Sequence, residues 1–378
     1  MRIFENLNFD FLGKRKTFYM VSALLFLIGV LGIIVRGFHF GIDFQGGTEI
    51  VLQFEKPVSV AEMRGYVENI GLGNVELKTF GGETGILVRT ELQQVPKAIY
   101  PQVLDNIEKE INKTYPGLPY QIVDSSATSV TFSFPNPDTT NALVDKLFES
   151  GFQTGKISEE PDNRQMVARV GIADWIKINL RDKMQDNPFQ VLREEQVGPK
   201  IGKELKQDAV VAVLMSLLVI LIYLGFRFKF IFAVGAVVAL FHDVLITLGL
   251  YAALYDILPI NLEIDLTVVA AFLTLVGYSI NDTVIVFDRV RENLKIHKTK
   301  PLLEIMNMSI NKTMSRTILT GGTTLITVFV LLMLGGDVLR AFAFTLFFGI
   351  IIGTYSSIFV ASALVLEYAQ RSKKKFTF

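Results

Sequence analysis

The feature that most constrains this chain is a set of six long apolar runs. A helix needs about 20 mostly apolar residues to cross the hydrocarbon core of a bilayer. Residues 17–35, 209–225, 230–254, 266–287, 318–334 and 341–366 qualify, and the hydrophobic half of the composition is concentrated in them. The first run is too long for the apolar core of a signal peptide and lacks an A-x-A cleavage site, so it reads as a retained anchor. The expected fold is an α-helical membrane protein with six transmembrane helices.

Lys and Arg near the ends of the runs set the orientation. Lys14, Arg15 and Lys16 place residues 1–16 in the cytoplasm, ahead of a first transmembrane helix at 17–36. Helices 2–6 then fill 208–370. Alternation brings Arg227, Lys229, the basic stretch 289–316 and a basic tail at 371–378 to the same cytoplasmic side. The connection around Asp256, Glu263 and Asp265 carries no Lys or Arg and lies outside; Arg340, beside Asp337, is the exception. The expected setting is a bacterial plasma (inner) membrane, with residues 37–207 extracytoplasmic. Formal charge is zero, which implies no nucleic acid or strongly charged partner.

The exported loop is long enough for one or two small domains. It has no cysteine and folds without disulfides, and the three histidines, His39, His242 and His297, are scattered. That excludes a structural zinc or Cys-based site. Strand patterns at 48–54, 75–80, 86–90 and 121–124, with helices at 59–70 and 97–113, give βαββαβ, the ferredoxin-like order. Gly81-Gly82 suits the hairpin between the second and third strands. The pattern recurs with strands at 129–134, 155–159, 166–170 and 191–197 and helices at 139–149 and 172–184. The expectation is an α+β region of two ferredoxin-like units, 37–125 and 126–207, with the proline-containing stretch 134–138 as a hinge. The alternative is one enlarged domain with an irregular insertion.

Residues 277–293, "GYSINDTVIVFDRVREN", carry charge into the fourth apolar run. A carboxylate at such depth costs ~2.5–3.5 kcal/mol on insertion scales, so intramembrane acids are rare and usually functional. On a helix Tyr278, Asp282, Ile285 and Arg289 share one face, flanked by Asn281 and Asp288. Asp282 is the candidate proton carrier, or else a structural hydrogen-bonding carboxylate. Arg316, opening the fifth run, is its candidate counter-ion, or a positive-inside anchor; an Arg does not itself titrate. Asp243, mid-way along the third run beside His242, reads equally as a relay member or an interhelical bond. Gly349 and Gly353, with Gly277, read as helix-packing positions. Gly46-Gly47 suits a turn from membrane helix to strand. There is no G-x-x-x-x-G-K-[ST], G-x-S-x-G or H-E-x-x-H, so the chain reads as no enzyme and needs no cofactor.

Several segments together resemble the SecF family, the smaller membrane subunits of the SecD–SecF pairs, within the resistance–nodulation–division superfamily. They are "FDFLGKRK" from Phe9, "GIDFQGGTEI" from Gly41, "VGPKIGKEL" from Val197, "FHDVLITLG" from Phe241, the 277–293 stretch and "SRTILTGGTT" from Ser315. The resemblance spans about 9–89 and 191–368, and departs from the family's commonly single small head at 126–188. It implies a charged relay on the fourth and fifth helices. It also implies an auxiliary subunit of the Sec protein translocase that uses the proton-motive force to promote preprotein translocation. Implied partners are SecD as a separate chain, the SecYEG channel, YajC, a YidC-type insertase and unfolded preprotein. The rival readings are an independent proton-driven exporter of small molecules or lipids, which would need to homodimerise, and a non-transporting scaffold of the translocase.

Overall fold

The computed structural model describes residues 7–126, 129–158, 160 and 162–372. The expected basic tail lies outside the described residues from 373 onward, as do residues 1–6 of the expected cytoplasmic N-terminus. The chain divides into a compact head, Ile42–Glu204, and a helical unit made by the segments on either side of it.

The first long helix, α1 (Arg15–Arg36), belongs to the helical unit. The head follows in the order α2 (Ile42–Gln45), β1 (Gly47–Phe54), α3 (Val60–Glu68), β2 (Glu76–Thr79), β3 (Gly85–Thr90), α4 (Tyr100–Thr114), β4 (Gln121–Ser125), β5 (Ser129–Ser133), α5 (Pro137–Glu149), β6 (Gln153–Lys156), β7 (Gln165–Arg169), α6 (Ile172–Lys183) and β8 (Phe189–Val197). Gly46 and Gly47 take φ of +78° and +119° where α2 gives way to β1. A Cβ on Gly47 would strike the carbonyl oxygen of Thr90, so only glycine fits there.

The strands form two antiparallel four-stranded sheets, β2-β3-β1-β8 and β4-β5-β7-β6. Each has the ferredoxin-like order, but the fourth strands are exchanged relative to chain order. The strand near 121–124, expected to complete the first βαββαβ, pairs with β5 instead, and β8 closes the first sheet. The reason is local. Only residues 126–128 separate β4 from β5, and strands joined by so short a link pair as a hairpin. The free edge of β1 is then taken by β8, from Gly47↔Val197 to Phe54↔Phe189. The head is therefore an outer unit (β1, α3, β2, β3, α6, β8) with an inner unit (α4, β4, β5, α5, β6, β7) inserted between β3 and α6. The expected hinge at 134–138 is a helix start inside the inner unit: Asn136 Oδ1 accepts from the Asp138 N–H at 3.0 Å and Pro137 occupies the first helical position, the usual place for proline.

Trp175 of α6 is buried and donates from Nε1 to the Ile70 carbonyl at 2.9 Å. Across the outer sheet, Glu49 of β1 is enclosed between Arg89 of β3 (Nε to Oε2, 2.7 Å) and Arg193 of β8. Arg89 also reaches Glu76 of β2 at 3.4 Å, so one ionic cluster links all four strands.

Among the described residues, six helices are long and apolar enough to cross a membrane: Leu12–Arg36, Pro199–Arg227, Phe230–Leu254, Leu266–Ile296, Leu302–Leu334 and Gly336–Arg371. Within them lie α7 (Pro199–Arg227), α8 (Phe230–Leu254), α9 (Leu266–Ile296), α10 (Leu302–Leu334), α11 (Gly336–Ser356) and, after a π-helical turn at Ser357–Ala361, α12 (Ser362–Ser372). Close approach of α1 to α8 rests on small residues. A Cβ on Gly29 would lie 2.8 Å from the Gly249 Cα, and one on Gly32 2.6 Å from the Ala253 nitrogen.

Removing the acid that two arginines enclose takes from the buried Arg89 its shortest ion pair, and breaking a buried pair costs about 3–5 kcal/mol. Glu49→Ala is expected to lower the unfolding free energy of the head by that amount, seen as a lower denaturant midpoint. The fluorescence of Trp175, the sole tryptophan, reads this transition, and an unchanged midpoint would show that the cluster adds nothing.

Candidate functional site

Helix α9 begins at Asp265, whose side chain accepts from the Val268 N–H at 2.8 Å. Its buried positions include Val268, Phe272, Leu275, Ser279, Asp282, Thr283 and Val286. That helical spacing turns three polar side chains inward together. Asp282 is only 2% exposed. Thr354 of α11 is its hydrogen-bonding neighbour, and the charge of Arg316 on α10 acts on the carboxyl without closing an ion pair. Among the described residues, Asp282 Oδ2 and the Tyr278 hydroxyl are buried with no hydrogen-bond partner. A Cβ on Gly321 of α10 would sit 3.7 Å from Thr354 Oγ1 and 3.9 Å from Tyr278 Oη, in ordinary contact with both. An acid with one oxygen satisfied and the other open has room for a proton or for an approaching donor, and buried groups left so are uncommon.

Asp243 of α8, 1% exposed, is the opposite case. Its Oδ2 accepts from Ser279 Oγ of α9 at 2.7 Å and from Ser356 Oγ of α11 at 2.8 Å. Its Oδ1 lies 3.0 Å from His242 Nδ1. His242 Nε2 is 3.1 Å from Ser22 Oγ of α1, which is 2.8 Å from the Tyr355 hydroxyl, and that hydroxyl donates to the Phe18 carbonyl at 2.5 Å. A further hydroxyl contact, Thr283 to Ser357 at 2.8 Å, joins α9 to the π-helical turn. Between the two acids α11 presents Gly353, Thr354 and Ser356. Sequence reasoning did not find Ser22, Ser279, Thr354, Tyr355 or Ser356. The adjacent serines in "TYSS" were the available signal, a polar cluster inside an apolar run.

The other expected site residues lie elsewhere. Asn281 is exposed, on a different face of α9 from the buried Asp282. Arg289 pairs with Glu292 on the same helix, near the Arg227–Asp288 surface pair. Neither joins the cluster. Gly349 and Gly353 do sit at tight crossings: Cβ atoms there would lie 2.6 Å from Leu275 Cδ1 and 2.9 Å from Ser279. The packing expected at Gly277 is not seen, because a Cβ there would meet nothing within 4 Å among the described residues. The glycine faces outward, in line with Asn281.

Comparison with known proteins adds independent findings. The family profile "Protein export membrane protein SecD/SecF, C-terminal" matches residues 177–371, and the SecD/SecF GG motif matches 31–58. The chain is 38% identical over 372 residues to protein translocase subunit SecF of Rhodothermus marinus, covering 98% of this chain and 97% of that one. It is 34% identical over 368 residues to protein translocase subunit SecDF of Thermus thermophilus, covering 97% of this chain and 39% of the longer protein. The crystal structure of a Thermus SecDF, a translocon-associated membrane protein, matches with a TM-score of 0.65 at 30% identity, over 98% of this chain and 40% of that one.

Gly353→Ala is expected to cost about 1–3 kcal/mol, the range for overpacking a tight contact, measured by SDS titration of the purified protein. Gly277→Ala, facing open space, should leave the transition where it is. Equal effects from both would contradict the packing described.

Proposed function

Because this chain belongs to the SecF family of protein translocase subunits, we propose that it works with a separate SecD chain to couple the proton-motive force to preprotein export. The coupling centre in this reading is Asp282. The observation that carries it is a carboxyl enclosed in a membrane-crossing bundle with one oxygen unpartnered and a cation nearby. Asp282 takes and releases the proton. Arg316, which does not titrate, is the fixed counter-charge, and Thr354 ties the state of the acid to α11. A charge moving through the field yields ~2.3 kcal/mol per 100 mV, enough to bias two helix packings that differ by a few kcal/mol.

Both termini are cytoplasmic and the head faces outward, as the Lys and Arg distribution favours. The exposed face of α9 at Thr274, Gly277 and Asn281 is the docking surface for the helices of SecD. The Thr274 hydroxyl is returned to its own backbone at Ala270, but the Asn281 amide is costly against lipid and calls for a protein partner. The same assembly includes the SecYEG channel, with YajC and a YidC-type insertase beside it, and the head meets unfolded preprotein.

The test is translocation of a secretory protein into inverted membrane vesicles carrying SecD with this chain or its Asp282→Asn variant, with and without a proton gradient. The variant should assemble with SecD and lose the gradient-dependent component. Translocation equal to wild type would mean that the acid is structural and the chain a scaffold.

A further inference from the structure

The hydrogen-bond chain running from Asp243 to α1 has a direction fixed by its far end. A backbone carbonyl can only accept, so Tyr355, 2.5 Å from the Phe18 oxygen, gives its one hydroxyl proton there. Ser22 must then supply the proton for its 2.8 Å contact with Tyr355. With that proton committed, Ser22 can only accept from His242, which puts a proton on Nε2 across the 3.1 Å contact. The remaining contact, Nδ1 to Asp243 Oδ1 at 3.0 Å, needs a proton as well, on the ring or on the carboxyl. The pair thus holds one proton more than a neutral imidazole beside a carboxylate.

We propose that His242 and Asp243 form a second proton-binding site, separate from Asp282, whose occupancy sets the direction of the hydrogen bonds between α1 and α11 and decides whether the Phe18 carbonyl keeps its donor. Loss of the proton to water leaves Nε2 bare. Ser22 then donates to Nε2, Tyr355 donates to Ser22, and the Phe18 carbonyl loses its donor from α11. The contacts run in reverse: α1 keeps its bond to Tyr355 through Ser22 but loses the one at Phe18, which loosens it there. Because α1 leads directly into the head, the site connects a proton to the segment on which the head is carried.

The other charged groups on the helices packed against α8 lie away from the pair, Arg36 at the far end of α1 donating to the Tyr255 carbonyl and Arg371 near the end of α12. Arg15 pairs with Glu367 at 2.9 Å, Arg340 with Asp337, Asp288 with Arg227 and Arg289 with Glu292. Lys16 and Tyr19 lie on α1 ahead of Ser22, and Tyr278 and Asp282 lie on α9 on either side of Ser279. Arg291 and Lys295 lie further along α9. Asp282 has Thr354 and Arg316 acting on it, and neither member of the pair.

The test uses the full chain in lipid nanodiscs, with ¹³C-labelled histidine. Three histidines give three signals, and His242→Gln identifies one by its loss. As pH is raised, that signal should switch from the form protonated at Nε2 to the form bare there, and the switch should move in pH in Asp243→Asn, since a contacting charge shifts its partner. Hydrogen exchange in α1, corrected for its intrinsic pH dependence, should step up through the same midpoint and lose the step in Tyr355→Phe. A His242 signal that does not titrate, or an exchange step that survives Tyr355→Phe, would overturn the proposal. Asp282→Asn is carried through both readouts. Retention of both signals in it keeps this site apart from the coupling centre, whereas their loss would assign the proton to Asp282.

Discussion

A carboxyl buried among membrane-crossing helices has to find its hydrogen-bond donors inside the protein, because lipid offers none. At Asp243 that requirement determines how α8, α9 and α11 meet. Serines from the two facing helices converge on one oxygen, and the crossing is close enough that residue 353 can have no side chain. Immediately after Ser356 the helix widens into its π-helical turn, a local change often found at functional positions. Ser356 turns to α8 and Ser357 to α9. The same stretch supplies Thr354 to Asp282. The two acids therefore share one piece of α11 while differing in kind: one saturated with partners, the other left with an open oxygen.

The six helices were legible because lipid imposes a length and a composition that no soluble fold needs. Asp282 was legible for the complementary reason, a charge where charge is expensive. The head's strands and helices also followed their periodicities closely. What was not legible was the pairing between distant elements. Period-two alternation marks a strand without naming its neighbour, so β4 and β8 were assigned in chain order. The short link at 126–128 is the one sequence feature that favours a β4–β5 hairpin over two successive βαββαβ units. Asn281 was misjudged in a similar way. Adjacency to Asp282 suggested shared chemistry, whereas a step of one residue along a helix points a side chain to a different face. The serines and Tyr355 were hidden because small hydroxyls are tolerated anywhere in a membrane helix, and only an acid or histidine opposite gives them meaning.

The inner unit is inserted into the outer one without taking a strand from it. The outer unit keeps a complete sheet of its own, with β1 and β8 adjacent, and its buried ionic cluster is contributed wholly by its own strands. The inner unit also closes a sheet from its own strands, β4 to β7. Neither sheet needs a strand from the other.

The side-by-side pairing of Gly47 with Val197 has a mechanical meaning. These residues begin and end the two strands through which the chain enters and leaves the head, and they form the first rung of the β1–β8 ladder. If α1 and α7 are drawn the same way, the strands act as two parallel cords and the tension divides between them, leaving every rung unloaded in the breaking direction. If the helices are drawn apart, the tension concentrates on that first rung and the ladder opens one rung at a time towards Phe54 and Phe189. The Glu49 cluster, two residues in from the start, is the latch that such a peeling motion meets next.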